Sequence, residues 1–285
     1  MSRVLFSTAG IPLQCRGGSV EGIACVRKLG LDAMELEYVR GVKYNSALAQ
    51  KIGEAAAKHE ISLSCHASYY LNLLSDDPKK KAYSKHLILE SARMLSGAVA
   101  AGAPHGEGGG RVVFHAGYFM KKDPAQAARE MREEFKFLLA KKREEHLKVV
   151  FAPELTGKPS AWGSLDELCA LCSEFSLGDF NPCIDFAHHL ARGNSLKTQD
   201  DFEAVLNKIA KALGANALRS LHCHFSGINF SAKGESNHLA IAANSPPFTL
   251  LARALKAKHC SGVIVCESPN NEEDALEMKR IYLKS

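Results

Sequence analysis

The sequence has little of what would place it outside ordinary globular proteins. No uninterrupted apolar run approaches the roughly 18 residues of a membrane span, so no spanning helix and no membrane partner is expected. The opening MSRVLFSTAG lacks the charged-then-apolar layout of a secretory signal, and a cytoplasmic location is expected. No low-complexity block and no Pro/Ser-rich linker interrupts the 285 residues. Charge is nearly balanced: 36 Lys+Arg against 31 Asp+Glu leaves +5, which permits a nucleic-acid partner without arguing for one. The nine cysteines are odd in number and scattered through apolar runs, unlike a secreted disulfide framework. Hydrophobic residues make up 46% of the chain, enough for a full core, and that excludes wholesale disorder. Twelve histidines form the one unusual count, and their positions carry the rest of the reading.

Short β-rich runs alternate with longer helical ones. Strands are predicted at 4–7, 33–38, 61–66, 111–115, 147–154, 182–185, 220–225 and 263–267. Helices are predicted at 20–29, 45–58, 79–100, 124–145, 165–175, 200–213, 247–258 and 272–283. Gly30 is read as a C-cap, and Ser164 with Glu167 as a capping box. Residues 103–110, APHGEGGG, read as a loop. Eight strand–helix units in 285 residues average about 36 residues each, which fits a single-domain (β/α)8 TIM barrel over 1–285. A doubly wound open sheet would want a Gly-rich phosphate turn after the first strand. The run from Ser7 to Pro12, STAGIP, is not G-x-G-x-x-G.

In a parallel barrel, catalytic residues collect at the C-terminal strand ends. Six consecutive strands here finish in His, Glu or Asp: His66, His115, Glu154, Asp185 followed by His188, His222 and His224, and Glu267. The period of two puts Val113 with His115, Cys183 with Asp185, and Val265 with Glu267 on one face, so the polar ends converge at the barrel mouth. Converging carboxylates repel unless protonated or bound to cations. Mixed imidazole and carboxylate donors suit zinc, manganese or iron, so a metal site at the C-terminal face is expected. Glu235 and His238, in the long loop after strand seven, are further candidate ligands.

The remaining histidines read as structural or solvated. His59, His86, His146 and His259 lie on or at the ends of helices, and His105 lies in the Gly-rich loop. His189 should point away from His188, and His222, one layer below His224, is either support or an alternative ligand. The Cys169-x-x-Cys172 pair sits within a helical run and reads as core packing. Arg40 and Lys43, after strand two, are candidate phosphate contacts. No Ser-His-Asp or Cys-His arrangement competes for a covalent mechanism.

This ordered set of strand ends resembles endonuclease IV, the zinc-dependent apurinic/apyrimidinic endonuclease of the xylose-isomerase-like barrels. The openings Thr8-Ala9-Gly10-Ile11-Pro12 and Gly30-Leu31-Asp32-Ala33-Met34-Glu35-Leu36-Glu37 look like its shorter archaeal-type members. The resemblance implies three zinc ions and damaged double-stranded DNA as the partner; the donor set also suits manganese, and a monomer is expected because the sequence shows no long exposed apolar stripe. The resemblance implies cleavage 5′ to an abasic site in base excision repair, by metal-activated hydroxide. His66 and His115 would bind the first metal and Glu154 would bridge it to the second. Asp185, His224 and Glu267 would complete the second. His188 would bind the third, where Glu235 and His238 stand in place of the family's Asp-x-His. Tyr69, followed by Tyr70 and Leu71, would meet the DNA at the lesion.

Two other readings compete. A sugar isomerase, epimerase or dehydratase of the same superfamily would use one metal on Glu154, Asp185, His224 and Glu267, leaving His66, His115, Glu235 and His238 unexplained. A barrel that binds lesions without cutting them would keep its affinity after loss of Glu154 or of the metal.

Overall fold

The protein is described by a computed structural model covering residues 3–104 and 110–285. The loop expected at 103–110 therefore falls largely outside the described residues, and His105 with it.

Eight parallel strands form one sheet in the order β5-β4-β3-β2-β1-β10-β7-β6. They are β1 (Val4–Ala9), β2 (Ala33–Glu37), β3 (Ser62–His66), β4 (Arg111–Phe114), β5 (Val150–Pro153), β6 (Cys183–Asp185), β7 (Leu221–Phe225) and β10 (Gly262–Cys266). Parallel bridges pairing Phe151 with Phe180 and Glu154 with Cys183 join β5 to β6 and close the ring. The fold is a (β/α)8 TIM barrel with ligand-type residues near the strand ends.

Alternation within each strand separates two cores. Phe6, Met34, Leu36, Leu63, Phe114 and Phe151 pack outward, under the helices. Leu5, Ala33, Val263 and Val265 form a separate interior cluster, and Val113, Ala152 and Cys183 another. The two residues on either side of any position belong to the opposite core, as a period of two requires.

The helical ring is α1 (Ser19–Lys28), α2 (Ser46–His59), α3 (Pro78–Ala100), α4 (Pro124–Glu144), α5 (Leu165–Cys172), α6 (Phe186–Ala191), α7 (Gln199–Leu213), α8 (Phe248–Ala257) and α9 (Glu272–Lys284). Their starts are written in the sequence. Asp77 and Asp123 cap helices that open on Pro78 and Pro124, where a missing N–H costs nothing. Ser164 and Glu167 form the expected capping box. Gly30, just past α1, takes φ +85°, which lets the chain turn sharply into β2. Phe135 and Phe180 stack at 4.5 Å and, with Phe114, Phe151, Phe175 and Trp162, fill the seam beside the β5–β6 closure.

Three details differ from the sequence reading. The stretch after β7 is a β-hairpin rather than a loop, β8 (Gly227–Ser231) against β9 (Gly234–Leu239), turned at Gly234 with φ +98°. Its alternation is weak because most residues of both strands are exposed or half-buried, so neither face is packed throughout. The short α6 begins on Asp185, which caps it, and so had no separate start signal. Cys15 and Cys25 are joined by a disulfide, while the other seven cysteines are free and buried. Among the described residues, no helix is long and apolar enough to cross a membrane.

Arg93 ties three elements together on the outer shell. Its guanidinium grips both oxygens of Glu145 at 2.7 Å each and also reaches Glu90 on its own helix. Glu90 in turn accepts from Tyr44 N at 2.7 Å, anchoring the β2–α2 loop. Burial opposes the Glu90 charge, but Tyr44 N–H and Arg93 outweigh it, so its carboxyl titrates below the ordinary value. Glu145 is also held low, first by Arg93. Such depressed carboxyls stabilise the fold above about pH 4.5, and the gain fades as pH falls below that. Arg93→Met should therefore destabilise by about 2 kcal/mol at pH 7. In urea unfolding the deficit should shrink toward zero near pH 3. A deficit independent of pH would contradict this account.

Candidate metal centre

The last inward side chains of six strands meet at one place. His66 ends β3 and His115 follows β4, and both aim Nε2 at Glu154 Oε2, at 3.0 Å each. Glu154 follows β5 and is fully buried. Its other oxygen, Oε1, lies 3.3 Å from His188 Nδ1 and 3.3 Å from His224 Nδ1. Glu267, after β10, brings Oε1 to 3.2 Å from the same His224 nitrogen. Asp185, at the end of β6, brings Oδ2 to 3.2 Å from His188 Nδ1. Two ligand groups result, each with its donor atoms within 4.8 Å of one another: His66, His115 and Glu154, and Glu154, Asp185, His224 and Glu267. Glu154 belongs to both.

The donor set fits divalent cations. Glu154 Oε1, Asp185 Oδ2 and Glu267 Oε2 are buried without a hydrogen-bond partner among the described residues, which is costly unless positive charge faces them. The imidazoles are oriented for the same purpose. His66 Nδ1 donates to Ala67 O at 2.7 Å, which turns Nε2 toward Glu154 as the nitrogen that would face a cation once its proton is displaced. His188 Nδ1 lies 2.9 Å from Leu155 O, which turns Nε2 toward Glu235 Oε2 at 3.1 Å. His224 Nε2 is held 2.8 Å from Glu35 Oε1, which leaves Nδ1 toward Glu154 and Glu267.

The electrostatics show the same deficit of positive charge. Burial pushes Glu154 up, but His115 and His224 outweigh it and hold the carboxyl well below its ordinary range. Burial opposes protonation of His66, yet Glu154 outweighs it and lifts the imidazole to about 10. His188 and His224 are raised well above the ordinary imidazole value, burial being outweighed by neighbouring anionic groups. Asp185 is raised to about 6, first by burial. Left to itself, the cluster draws in protons, and bound cations would take their place.

A family model described as xylose isomerase-like TIM barrel matches residues 23–285. The chain belongs to that family. It is 32% identical over 280 residues to an uncharacterized protein, MJ0133, of Methanocaldococcus jannaschii, covering 98% of this chain and 97% of that one. Endonuclease IV from Thermus thermophilus superposes with a TM-score of 0.71 at 18% identity, over 97% of this chain and 99% of that one. D-Psicose 3-epimerase from Clostridium cellulolyticum superposes at 0.65 with 14% identity, over 100% and 97%. At such identities the two superpositions speak to the fold alone.

Within this xylose isomerase-like barrel, His66, His115, Glu154, Asp185, His188, His224 and Glu267 are brought together. The hairpin carries Glu235 to His188, and Gly157 makes room for it, since a Cβ there would strike the Glu235 carboxylate. His238 lines the cavity at this centre, its ring 5.4 Å from that of His188; Nδ1 is 2.6 Å from Ser226 Oγ, and Nε2 is 4.0 Å from Glu267. Tyr69 stands over the centre, its ring 5.5 Å from that of His66. Tyr70 is turned to solvent, and Arg40 and Lys43 are on the β2–α2 loop, outside the cavity lining. His222 points below the centre to Glu35, so His224 is the β7 residue that faces Glu154.

Glu35 and Glu37 were missed by sequence reasoning. They occupy the inward row of β2, Ala33-Glu35-Glu37, where the same alternation test would have found them. Glu35 is fully buried, accepts from Ser64 Oγ at 2.6 Å, and holds His222 Nε2 at 2.9 Å and His224 Nε2 at 2.8 Å. Burial pushes its carboxyl up, but His224 and His222 outweigh it and hold it far below its ordinary range. Cys183, His222 and His224 also lie close together. Burial pushes that thiol well above its ordinary value, and Glu35 already occupies both imidazoles, so this group reads as support beneath the centre.

Glu35→Gln keeps the shape of the side chain but removes the charge that orients His224. Such supports are worth about 10–100-fold in metal affinity. Chelator competition should show zinc or manganese binding weakened within that range, with the fold intact by circular dichroism. Unchanged affinity would mean that Glu35 does not position His224.

Proposed function

We propose that this chain is a zinc- or manganese-dependent hydrolase that cuts the DNA backbone 5′ to an abasic site. One observation carries the reading. Glu154 turns one oxygen to His66 and His115 and the other to His188 and His224, so a single carboxylate serves two ligand groups. Phosphodiester hydrolysis must offset charge on both the attacking and the leaving oxygen, and paired cations about 3.5–4 Å apart suit that task. When bound, such cations supply Lewis acidity and lower the pKa of water.

The chain's own residues do the rest. His66, His115 and Glu154 would hold one cation, and Glu154, Asp185, His224 and Glu267 a second. His188 with Glu235 offers a start for a third, and His238, its ring 5.4 Å from that of His188, stands beside it. Strand ends fix all but His188, which sits on α6, and the hairpin residues, so the reacting phosphate would be oriented by rigid elements. Exposed Tyr69, Tyr70 and Tyr118 stand on loops that follow β3 and β4, and exposed Phe230 stands on the hairpin strand β8. Aromatic groups of this kind suit stacking on an unpaired or flipped nucleotide. No base-specific contact is required, because the lesion lacks a base.

A second reading has its own support. Glu154, Asp185, His224 and Glu267 make a complete four-residue group without His66 or His115. A sugar epimerase working with one metal would need no more, and the solved D-psicose 3-epimerase is similar in fold.

A duplex carrying one tetrahydrofuran abasic analogue separates the two. With zinc or manganese present, incision should leave a 3′-hydroxyl and should stop on chelation. Glu154→Gln should lower the rate by at least about 100-fold while lesion binding persists. An intact duplex would overturn the endonuclease reading, and metal-dependent epimerisation of a ketohexose would establish the alternative.

A further inference from the structure

Two residues one helical turn apart on α6 do different work. His188 faces Glu154, Asp185 and Glu235. Arg192, four residues on, caps the helix, and its backbone N–H bonds His188 O at 3.0 Å. The proposed chemistry makes no use of its guanidinium.

Arg192 is half-buried, and every acceptor that its Nη1 meets is neutral. They are Thr156 O at 3.1 Å, Thr156 Oγ1 at 3.0 Å, Lys158 O at 2.9 Å and Ala161 O at 3.1 Å. Hydrogen bonds from a charged donor are the strong ones, and a guanidinium cannot give up its charge. One side chain thus gathers the β5–α5 loop from Thr156 to Ala161 around a single point.

That loop touches both residues offered to a third cation. Leu155 O, at its start, lies 2.9 Å from His188 Nδ1. Gly157 O accepts from Glu235 N at 3.3 Å, a bond between barrel and hairpin. Gly157 also leaves the room that the Glu235 carboxylate fills. Gly234, at the hairpin turn, packs so closely on this loop that a Cβ would meet Gly157 O at 2.5 Å and Lys158 Cα at 2.8 Å. The 3.1 Å approach of Glu235 Oε2 to His188 Nε2 therefore depends on where Gly157 lies. Arg192 holds the carbonyls on either side of it, those of Thr156 and Lys158.

The other ligands do not lean on this loop in the same way. His66, Asp185 and His224 lie within barrel strands, where parallel pairing fixes them. Glu235 lies on a hairpin whose strands pair only with each other, so its place must be set by what the hairpin rests on.

We infer that Arg192 is the positioning residue for a third cation site: by bracketing Gly157 it seats Glu235 beside His188. The inference rests on the reading of the Glu154 cluster as a cation centre, and not on the DNA substrate.

Zinc alone is the probe, titrated into metal-free wild type and Arg192→Met against a chromophoric chelator. Wild type should fill the two sites on Glu154 first and a third more weakly. Arg192→Met keeps the aliphatic stem and should weaken the third by about 10–100-fold, the usual worth of a group that orients a ligand. The first two affinities should stay within about twofold, as for sites that share no partner with the change. Hydrogen exchange on the metal-free protein supplies a readout independent of zinc. The Glu235 N–H should exchange at least about tenfold faster in Arg192→Met, while the amides of β7 keep their wild-type rates.

An unchanged third affinity in Arg192→Met would overturn the inference. So would equal weakening of all three ions with faster exchange throughout β7, which would make Arg192 a general support of the fold. Wild type that saturates at two ions would overturn it and leave the shared Glu154 intact. Wild type that binds fewer than two would bring down both.

Discussion

Glu154 sits among four imidazoles, His66 and His115 at one oxygen and His188 and His224 at the other. The contact is buried in a barrel that also encloses Glu35, Asp185 and most of Glu267. Removing that many acids from water costs several kcal/mol per ion unless positive charge is supplied. Protonated imidazoles supply some of it, and the raised His66, His188 and His224 show how strongly the acids demand it. The arrangement makes sense as a cradle for cations, with protons as stand-ins. A barrel built only for stability would fill these positions with aliphatic side chains, as Leu5, Val263 and Val265 fill the layers beneath.

The rest of the structure serves that cluster. The strands place ligands at fixed heights, because parallel register aligns His66 with Glu37, and Asp185 with His224. Carbonyls of Ala67 and Leu155 and the carboxylate of Glu35 hold the far nitrogens of three histidines. The ring lacks regular pairing only between β5 and β6, and there the bridge pairs Glu154 with Cys183. The shared ligand thus lies at the closure itself, braced from outside by Phe135, Phe151 and Phe180.

Much of this was legible in the sequence. Alternation marks the strands and their inward rows, so His115, Asp185 and Glu267 could be placed from spacing with Val113, Cys183 and Val265. Capping residues marked the helix starts, with Ser164 and Glu167 in a box as read. The hairpin was not legible, because β8 and β9 pair with each other over a solvated surface and bury little of their alternation. Position along the chain also does not give reach. Glu235 arrives at His188 only because the hairpin folds over Gly157, and the same hairpin brings the His238 ring to 5.4 Å from that of His188 while Ser226 bonds its Nδ1. Glu35 and Glu37 escaped notice for a different reason. Their signal is present in β2 as the inward row Ala33-Glu35-Glu37, within the same run that carries the family resemblance.

The central claim is that Glu154 is shared by two cations. Anomalous diffraction from crystals soaked in zinc or manganese tests it directly. The account predicts two peaks flanking Glu154, about 3.5–4 Å apart, one bounded by His66 and His115 and the other by Asp185, His224 and Glu267. A single peak confined to the Asp185, His224 and Glu267 side, with His66 and His115 still hydrogen-bonded to Glu154 at full metal loading, would contradict it.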